Sequence, residues 1–118
     1  MPERPPELAE LAGRTLPELR LADLSLREPD MANLRAPGGS MRDVTIEGGR
    51  LTGLLWTGGA IARTTLRRCR MDLAGLSLAR IADVLLDGCD LREADLQDAR
   101  LTRVALDGCD LRGADLLG

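Results

Sequence analysis

The sequence predicts an all-β protein whose chain coils into a four-sided parallel β-helix. The first observation behind this is a twenty-residue repeat, because residues 84–103 (VLLDGCDLREADLQDARLTR) and 104–117 (VALDGCDLRGADLL) align without a gap. The second is a shorter repeat inside it, which places an aliphatic residue at every fifth position. The third is the near absence of aromatic residues, with one Trp, no Phe and no Tyr. Aliphatic side chains alone favour a narrow, regular interior.

The five-residue repeat runs from residue 16 to residue 116. Its central positions hold Leu, Ile or Met except at Ala36 and Trp56. Two residues before most centres lies a second, usually smaller residue, such as Val84 or Cys89. Two positions separated by one residue face the same way on an extended segment. Both sets are therefore predicted to point inward, while the other three residues of each five face water or turn corners.

Other repeat architectures do not satisfy both periods. Apolar residues spaced strictly by five would fall on different faces of a helix and would not form one apolar stripe. A leucine-rich repeat also has a period in the twenties, but its sides are unequal in length. A coil with four sides of five residues fits both periods, so that each turn takes twenty residues. Successive turns are then about 4.8 Å apart, and residues twenty apart lie directly above one another.

The repeat units also carry a family resemblance. Ala94-Asp-Leu96 and Ala114-Asp-Leu116, with versions led by Cys89 and Cys109, resemble the A-(D/N)-L-x-x signature of the pentapeptide-repeat family. This resemblance implies a right-handed quadrilateral β-helix, a pentapeptide-repeat solenoid of about five coils over residues 14–118.

The frame of the repeat is less regular before residue 39. Ala22-Asp-Leu24 and Ala32-Asn-Leu34 fit the signature better if the frame moves by two residues. A two-residue bulge within residues 35–40 would absorb such a move. Both frames point Leu24, Leu26 and Leu34 inward.

Residues 1–13 are predicted to form a separate N-terminal cap. Pro5 and Pro6 precede Glu7-Leu-Ala-Glu-Leu-Ala12, and Gly13 follows, which is typical of a short helix. Such a helical cap would cover the open first turn of the coil. The alternative is that Ala9-Glu-Leu11 already begins the repeat.

The composition argues against an enzyme. The chain has no His, Tyr or Lys, so the commonest general base and two other proton-transfer groups are missing. No glycine-rich phosphate-binding loop is present. A net charge of −3 does not indicate direct binding of nucleic acid. We expect no catalytic residues, no cofactor and no metal.

Cys69, Cys89 and Cys109 are predicted to stack in one inward column. A thiol is a small apolar filler, and no His accompanies these cysteines as metal ligands would require. The odd number of cysteines, without a close pair, does not indicate a disulfide framework. No segment resembles a signal peptide or reaches transmembrane length. These features predict a reduced, cytoplasmic protein without membrane contact.

Trp56 is the one bulky residue of the repeat centres. Ala36 lies one turn below it, and Gly49 and Gly59 are predicted to flank it. Small residues around a large one indicate volume compensation in a densely packed interior, so we expect Trp56 in the core. The alternative is an indole at a binding surface.

Two surfaces are candidates for binding. One wall has an uncharged central column, and beside it Leu55, Leu73 and Leu78 occupy positions that the repeat normally points toward water. Contiguous apolar surface often marks an interface, although scattered surface leucines are also common. These leucines form the candidate interaction patch. A candidate acidic wall consists of aspartates stacked in pairs, namely Asp87, Asp90, Asp95, Asp107, Asp110 and Asp115.

The sequence thus predicts a non-catalytic scaffold that presents flat β-helix walls to a protein partner. Self-association as a homodimer would use the open C-terminal end or the uncharged wall. The family resemblance implies an alternative, since some pentapeptide-repeat proteins are DNA mimics that bind DNA gyrase or related topoisomerases. Mimicry needs a strongly negative face. Residues 83–118 hold nine acids against four arginines, but residues 39–82 hold three acids against seven arginines.

Overall fold

A computed structural model describes residues 11–116 and contains one parallel sheet of five strands in that range. The strands pair in chain order: β1 (Arg20–Arg27), β2 (Ser40–Glu47), β3 (Ala60–Arg67), β4 (Arg80–Asp87) and β5 (Arg100–Asp107). Each pairing joins a residue to the one twenty positions later, as in Leu21 with Met41. The protein is therefore a parallel β-solenoid with twenty residues per turn, and β1 to β5 span four complete turns. Within residues 11–116 no helix could cross a membrane.

A residue in the left-handed backbone region marks every corner of the coil. Positive φ recurs at each fifth residue from Gly13 to Gly113, at thirteen non-glycine residues and eight glycines. Each corner lies two residues after a repeat centre. Because corners are five residues apart and a turn takes twenty, each turn has four sides.

We name the four sides walls 1 to 4 by their inward repeat centres. Wall 1 has centres Leu11, Met31, Leu51, Met71, Leu91 and Leu111. Wall 2 has Leu16, Ala36, Trp56, Leu76, Leu96 and Leu116. Wall 3 has Leu21, Met41, Ile61, Ile81 and Leu101. Wall 4 has Leu26, Ile46, Leu66, Leu86 and Leu106. The strands form walls 3 and 4, whereas single bridges, such as that between Leu55 and Gly75, connect the turns along walls 1 and 2.

The interior is an aliphatic column, as predicted. Most residues of the two inward sets are buried between Leu11 and Ala94. The one buried polar side chain in this range, Thr64, donates its hydroxyl to the Ala62 carbonyl oxygen at 2.9 Å. In the last described turn, Leu101 and Leu106 are exposed because no later described turn lies above them.

Trp56 is fully buried, at 0% exposure, which confirms the core prediction. Its Nε1 donates to the Ala60 carbonyl oxygen at 3.2 Å. A Cβ added to Gly39 would lie 2.9 Å from Cζ2 of the indole, and one added to Gly59 would lie 2.8 Å from Cδ1. Gly59 therefore contacts the indole as predicted, whereas the predicted contact with Gly49 is wrong, since a Cβ there would meet Ile46 and Pro29. Gly49 precedes a wall 1 centre, whereas the indole points toward the corner between walls 2 and 3.

The repeat keeps a single frame from Leu11 onward. The offset of twenty residues is the same on both sides of residues 35–40, as the pairs Arg20–Ser40 and Arg35–Leu55 show. The two-residue bulge and the shifted frame are therefore not adopted. Leu24, Leu26 and Leu34 all point inward, as both frames required.

The predicted N-terminal helix falls mostly on residues 1–10, which lie outside the described residues. Its last residues, Leu11 and Ala12, and the following Gly13 form a turn like those of later coils. The Gly13 amide donates to the Ala32 carbonyl oxygen at 2.9 Å, and the Arg14 amide donates to Leu11 at 3.2 Å. Leu11 is buried in the core. The coil geometry is therefore present three residues before the predicted boundary, and no helix occurs within residues 11–116.

Candidate interaction surfaces

The structure places the three predicted patch leucines around wall 2. Leu73 and Leu78 occupy the two corners that bound this wall in one turn. Leu55 lies on the wall one turn earlier and pairs with Gly75. A Cβ on Gly75 would lie 2.8 Å from Cδ1 of Leu55, so the Leu55 side chain covers the glycine. The central outward column between these corners is uncharged and contains Pro17, Pro37, Thr57, Ser77 and Gln97.

Leucine is an unusual residue for the two corners of wall 2. Leu73 and Leu78 both have φ of 62° and are 58% and 61% exposed. The left-handed region disfavours a residue with a Cβ by about 1–2 kcal/mol, while Gly, Asn and Asp tolerate it better. All other corners within residues 11–116 hold Gly, Asp, Asn, Glu or Arg. Neither the backbone conformation nor core packing accounts for leucine at these two positions.

The six aspartates of the candidate acidic wall lie on three walls. They form three pairs stacked one turn apart. The pairs are Asp87 with Asp107 on wall 4, Asp90 with Asp110 on wall 1, and Asp95 with Asp115 on wall 2. Three of the six also have arginine partners within 4 Å. The structure therefore shows an acidic band around the C-terminal half of the coil, not a single acidic face.

Asp110 illustrates how arginine holds these carboxylates ionised. Nε and Nη2 of Arg112 donate to its two oxygens at 3.0 and 2.7 Å, and the Arg112 amide donates at 3.1 Å. Mainly through the side-chain contact, these bonds lower the pKa of Asp110 from 3.8 to about 2. A carboxyl with a lower pKa in the folded state stabilises the fold above its unfolded pKa. That stabilisation is lost as the pH falls from about 4 toward 2.

We expect a carbon-detected NMR titration of the native protein to give a pKa near 2 for Asp110. In Arg112→Gln this pKa should rise but stay below the ordinary value, because the backbone amide at position 112 still donates. Arg70→Gln, on the same wall without an ion pair, is the control and should leave the Asp110 pKa near 2. An ordinary Asp110 pKa in the unmodified protein would contradict the contact.

The three cysteines form the predicted inward column. Cys69 and Cys89 are buried, Cys109 is half-buried, and all three are free thiols. Sγ of Cys89 donates to the Leu66 carbonyl oxygen at 3.1 Å. Burial raises the pKa of the Cys109 thiol, so it is protonated at neutral pH. Within residues 11–116 no three Cys, Asp or Glu side chains are arranged to hold a metal ion.

The C-terminal third of the chain matches a family of repeats in sequence. Residues 79–117 match the family model for pentapeptide repeats, in eight copies. This is the part of the chain in which the five-residue repeat is most regular. No curated protein sequence matches the chain.

Two solved structures illustrate what the chain resembles in three dimensions. One is full-length QnrB1, a plasmid-mediated fluoroquinolone resistance protein, with a TM-score of 0.73 and 20% sequence identity. The alignment covers 80% of this chain but 47% of QnrB1, so the chain spans about half the length of that protein. The other is the pentapeptide repeat protein Rfr23 from the cyanobacterium Cyanothece 51142, with a TM-score of 0.46, 11% identity, and coverage of 86% of this chain and 90% of that one. At this level of identity, the likeness to QnrB1 shows the fold alone.

Proposed function

We propose that this chain, whose residues 79–117 match the pentapeptide-repeat model, is a non-catalytic scaffold that binds another protein through wall 2. Leu55, Leu73 and Leu78 form the contact. The observation that carries this proposal is the exposure of Leu73 and Leu78 at corners whose backbone disfavours leucine. A residue kept against a backbone preference supports a functional role for its side chain.

The chemistry of wall 2 suits a protein contact. Burying an exposed leucine side chain contributes about 1.5–3 kcal/mol, so Leu73 and Leu78 supply a substantial part of a binding energy. Leu55, which is half-buried, adds less. The central column between Leu73 and Leu78 holds Ser77, and Thr57 lies one turn earlier, so a partner meets no charge that must be desolvated there. Apolar anchors surrounded by polar residues are the usual arrangement at the centre of an interface.

Relieving the two strained corners tests this proposal directly. In the variant Leu73→Asn, Leu78→Asn and Leu55→Thr, we expect the free energy of unfolding to be unchanged or to rise by about 1 kcal/mol. Binding should fall by about a hundredfold or more, because the apolar anchors are gone. Urea unfolding measures stability. Light scattering and titration with partners captured by the unmodified protein measure self-association and binding.

The matched control changes one corner residue and one outward leucine of wall 4. Glu28 is a corner residue with φ of 51°, and Leu85 is an outward leucine whose neighbour one turn earlier is Thr65. The variant Glu28→Asn and Leu85→Thr should keep full binding. Equal loss of binding in both variants would argue against wall 2. A wall 2 variant that binds as before would end the proposal.

Modulation of a topoisomerase is the second candidate function. The three aspartate stacks favour it, since they repeat negative charge in register from turn to turn. The distribution of these aspartates over three walls argues against this function, and so do their arginine partners. A supercoiling assay with DNA gyrase decides between the two. Inhibition that disappears in Asp87→Asn with Asp107→Asn would support DNA mimicry, and full gyrase activity at a saturating excess of this protein would exclude it.

A further inference from the structure

Wall 3 presents a flat strip of arginine and alanine. Two outward columns flank its repeat centres, one on each side. The first column is Arg20, Ser40, Ala60, Arg80 and Arg100, and the second is Ala22, Arg42, Ala62, Ala82 and Thr102. Four exposed arginines are the only charged residues in these columns. Walls 1, 2 and 4 each carry acids at the equivalent positions.

The arginines of this strip form no ion pair within residues 11–116. Seven ion pairs occur among residues 11–116. Five lie on walls 1 and 4 or at the corner between them, and two lie at the corner that walls 3 and 4 share. None involves Arg20, Arg42, Arg80 or Arg100. Arg80 and Arg100 are direct neighbours in the β4–β5 register, where like charges repel. An anionic partner would relieve that repulsion.

We propose that wall 3 binds an acidic, extended segment of a protein partner. The arginines form two pairs, Arg20 with Arg42 and Arg80 with Arg100, and alanines separate the pairs. Arg20 and Arg42 border a groove of about 560 Å³ that also contains Ser40. Arg80 and Arg100 border a second groove of about 460 Å³, which Leu78 and Asp98 also line. Ala60 and Ala62 lie between the pairs, and Ala82 lies beside Arg80. Their small side chains let a polypeptide backbone approach the sheet.

The spacing of the pairs predicts the pattern of the ligand. Arg80 lies three turns above Arg20, and Arg100 lies three turns above the row of Arg42. With turns about 4.8 Å apart, the two pairs are about 14 Å apart along the coil. Four residues of an extended chain span the same distance, at about 3.4 Å each, and return to the same face. The preferred segment therefore carries Asp or Glu at positions i and i+4.

The surroundings of the strip favour carboxylates over nucleic acid. One edge of the strip carries Asp23 and the ion pairs Asp43–Arg63 and Asp83–Arg103. The other edge carries Glu18 and Asp98, so acids border the arginines on both sides. A duplex is wide enough to bring phosphates against these acids. Base stacking needs exposed aromatic side chains, and the single aromatic residue, Trp56, is buried. A guanidinium fork matches a carboxylate in two parallel hydrogen bonds.

A synthetic peptide tests the proposal with the full chain. The probe is a fluorescein-labelled peptide with Glu at positions i and i+4 in a Ser, Thr and Gly background, followed by fluorescence anisotropy. We expect binding that weakens as salt is raised and that is lost when both Glu are replaced by Gln. The variant Arg80→Gln with Arg100→Gln should weaken binding by about tenfold or more.

The control variant removes the same charge elsewhere. Arg27 on wall 4 and Arg70 on wall 1 are exposed and form no ion pair. Arg27→Gln with Arg70→Gln should bind the peptide as the unmodified protein does. Equal weakening in both variants would overturn the proposal, as would tighter binding of a DNA duplex than of the peptide. The variant Leu55→Thr with Leu73→Asn, which leaves Leu78 beside Arg80 in place, should still bind the peptide, and this separates the strip from the proposed leucine contact.

Discussion

Deleting residues 65–84 is expected to leave a protein that still folds, whereas deleting residues 65–82 is expected to abolish folding. The longer deletion removes one complete turn of twenty residues. Leu96 then lies above Trp56 in place of Leu76, and Cys89 lies above Gly49 in place of Cys69. The residues on both sides of the junction keep their inward or outward direction. Stability falls because one interface between turns is lost, but unfolding stays cooperative.

The shorter deletion removes less of the chain but shifts the frame by two residues. Asp87, Arg92 and Asp107 then occupy inward positions of the column. Burying an unpaired charge costs several kcal/mol, so the turns beyond the junction cannot stack. Far-UV circular dichroism and urea unfolding measure both variants. Equal stability in the two variants would contradict the twenty-residue coil.

Replacing Trp56 with alanine is expected to lower the free energy of unfolding by about 3–5 kcal/mol. The indole is fully buried and fits against Gly39 and Gly59. The backbone around these glycines belongs to the ladder between turns, so it cannot collapse into the cavity. The removed side chain therefore leaves unfilled volume. Urea unfolding followed by circular dichroism measures the change, since the variant has no tryptophan to report fluorescence.

Leu101→Ala is the control for this substitution. Leu101 is also a repeat centre, but it is 47% exposed in the last described turn. We expect its truncation to lower stability by about 1 kcal/mol. A Trp56→Ala variant no less stable than Leu101→Ala would mean that the indole does not fill the core.

The sequence predicted the core well because the interior depends on spacing alone. A centre at every fifth residue points inward on whichever side of the coil it falls, so Leu24 and Leu34 are inward in either frame. The neighbours of Trp56 were harder to predict. Gly49 and Gly59 are both small residues near it in sequence, but only the orientation of the indole shows that Gly39 and Gly59 face it.

Charge counts along the chain did not predict how the acidic and basic residues are distributed over the walls. Asp87 and Asp90 are three residues apart, yet the corner at Gly88 turns them onto different walls. Counting charges along the chain therefore combined residues that face different directions. Arg80 and Arg20 are far apart in sequence but belong to one column. Their shared position in the twenty-residue period was the signal that would have identified the strip on wall 3.

The periods of five and twenty, read from the sequence by themselves, determined the coil, its inward columns and the stacking of residues one turn apart. Periodicity suffices for these features because each residue packs mainly against residues at a constant offset. Only the tertiary structure decided the left-handed corners, the strain at Leu73 and Leu78, and which charges pair or share a wall. Those features depend on how a square coil closes at its corners, and closure determines backbone conformation and the direction of each outward side chain.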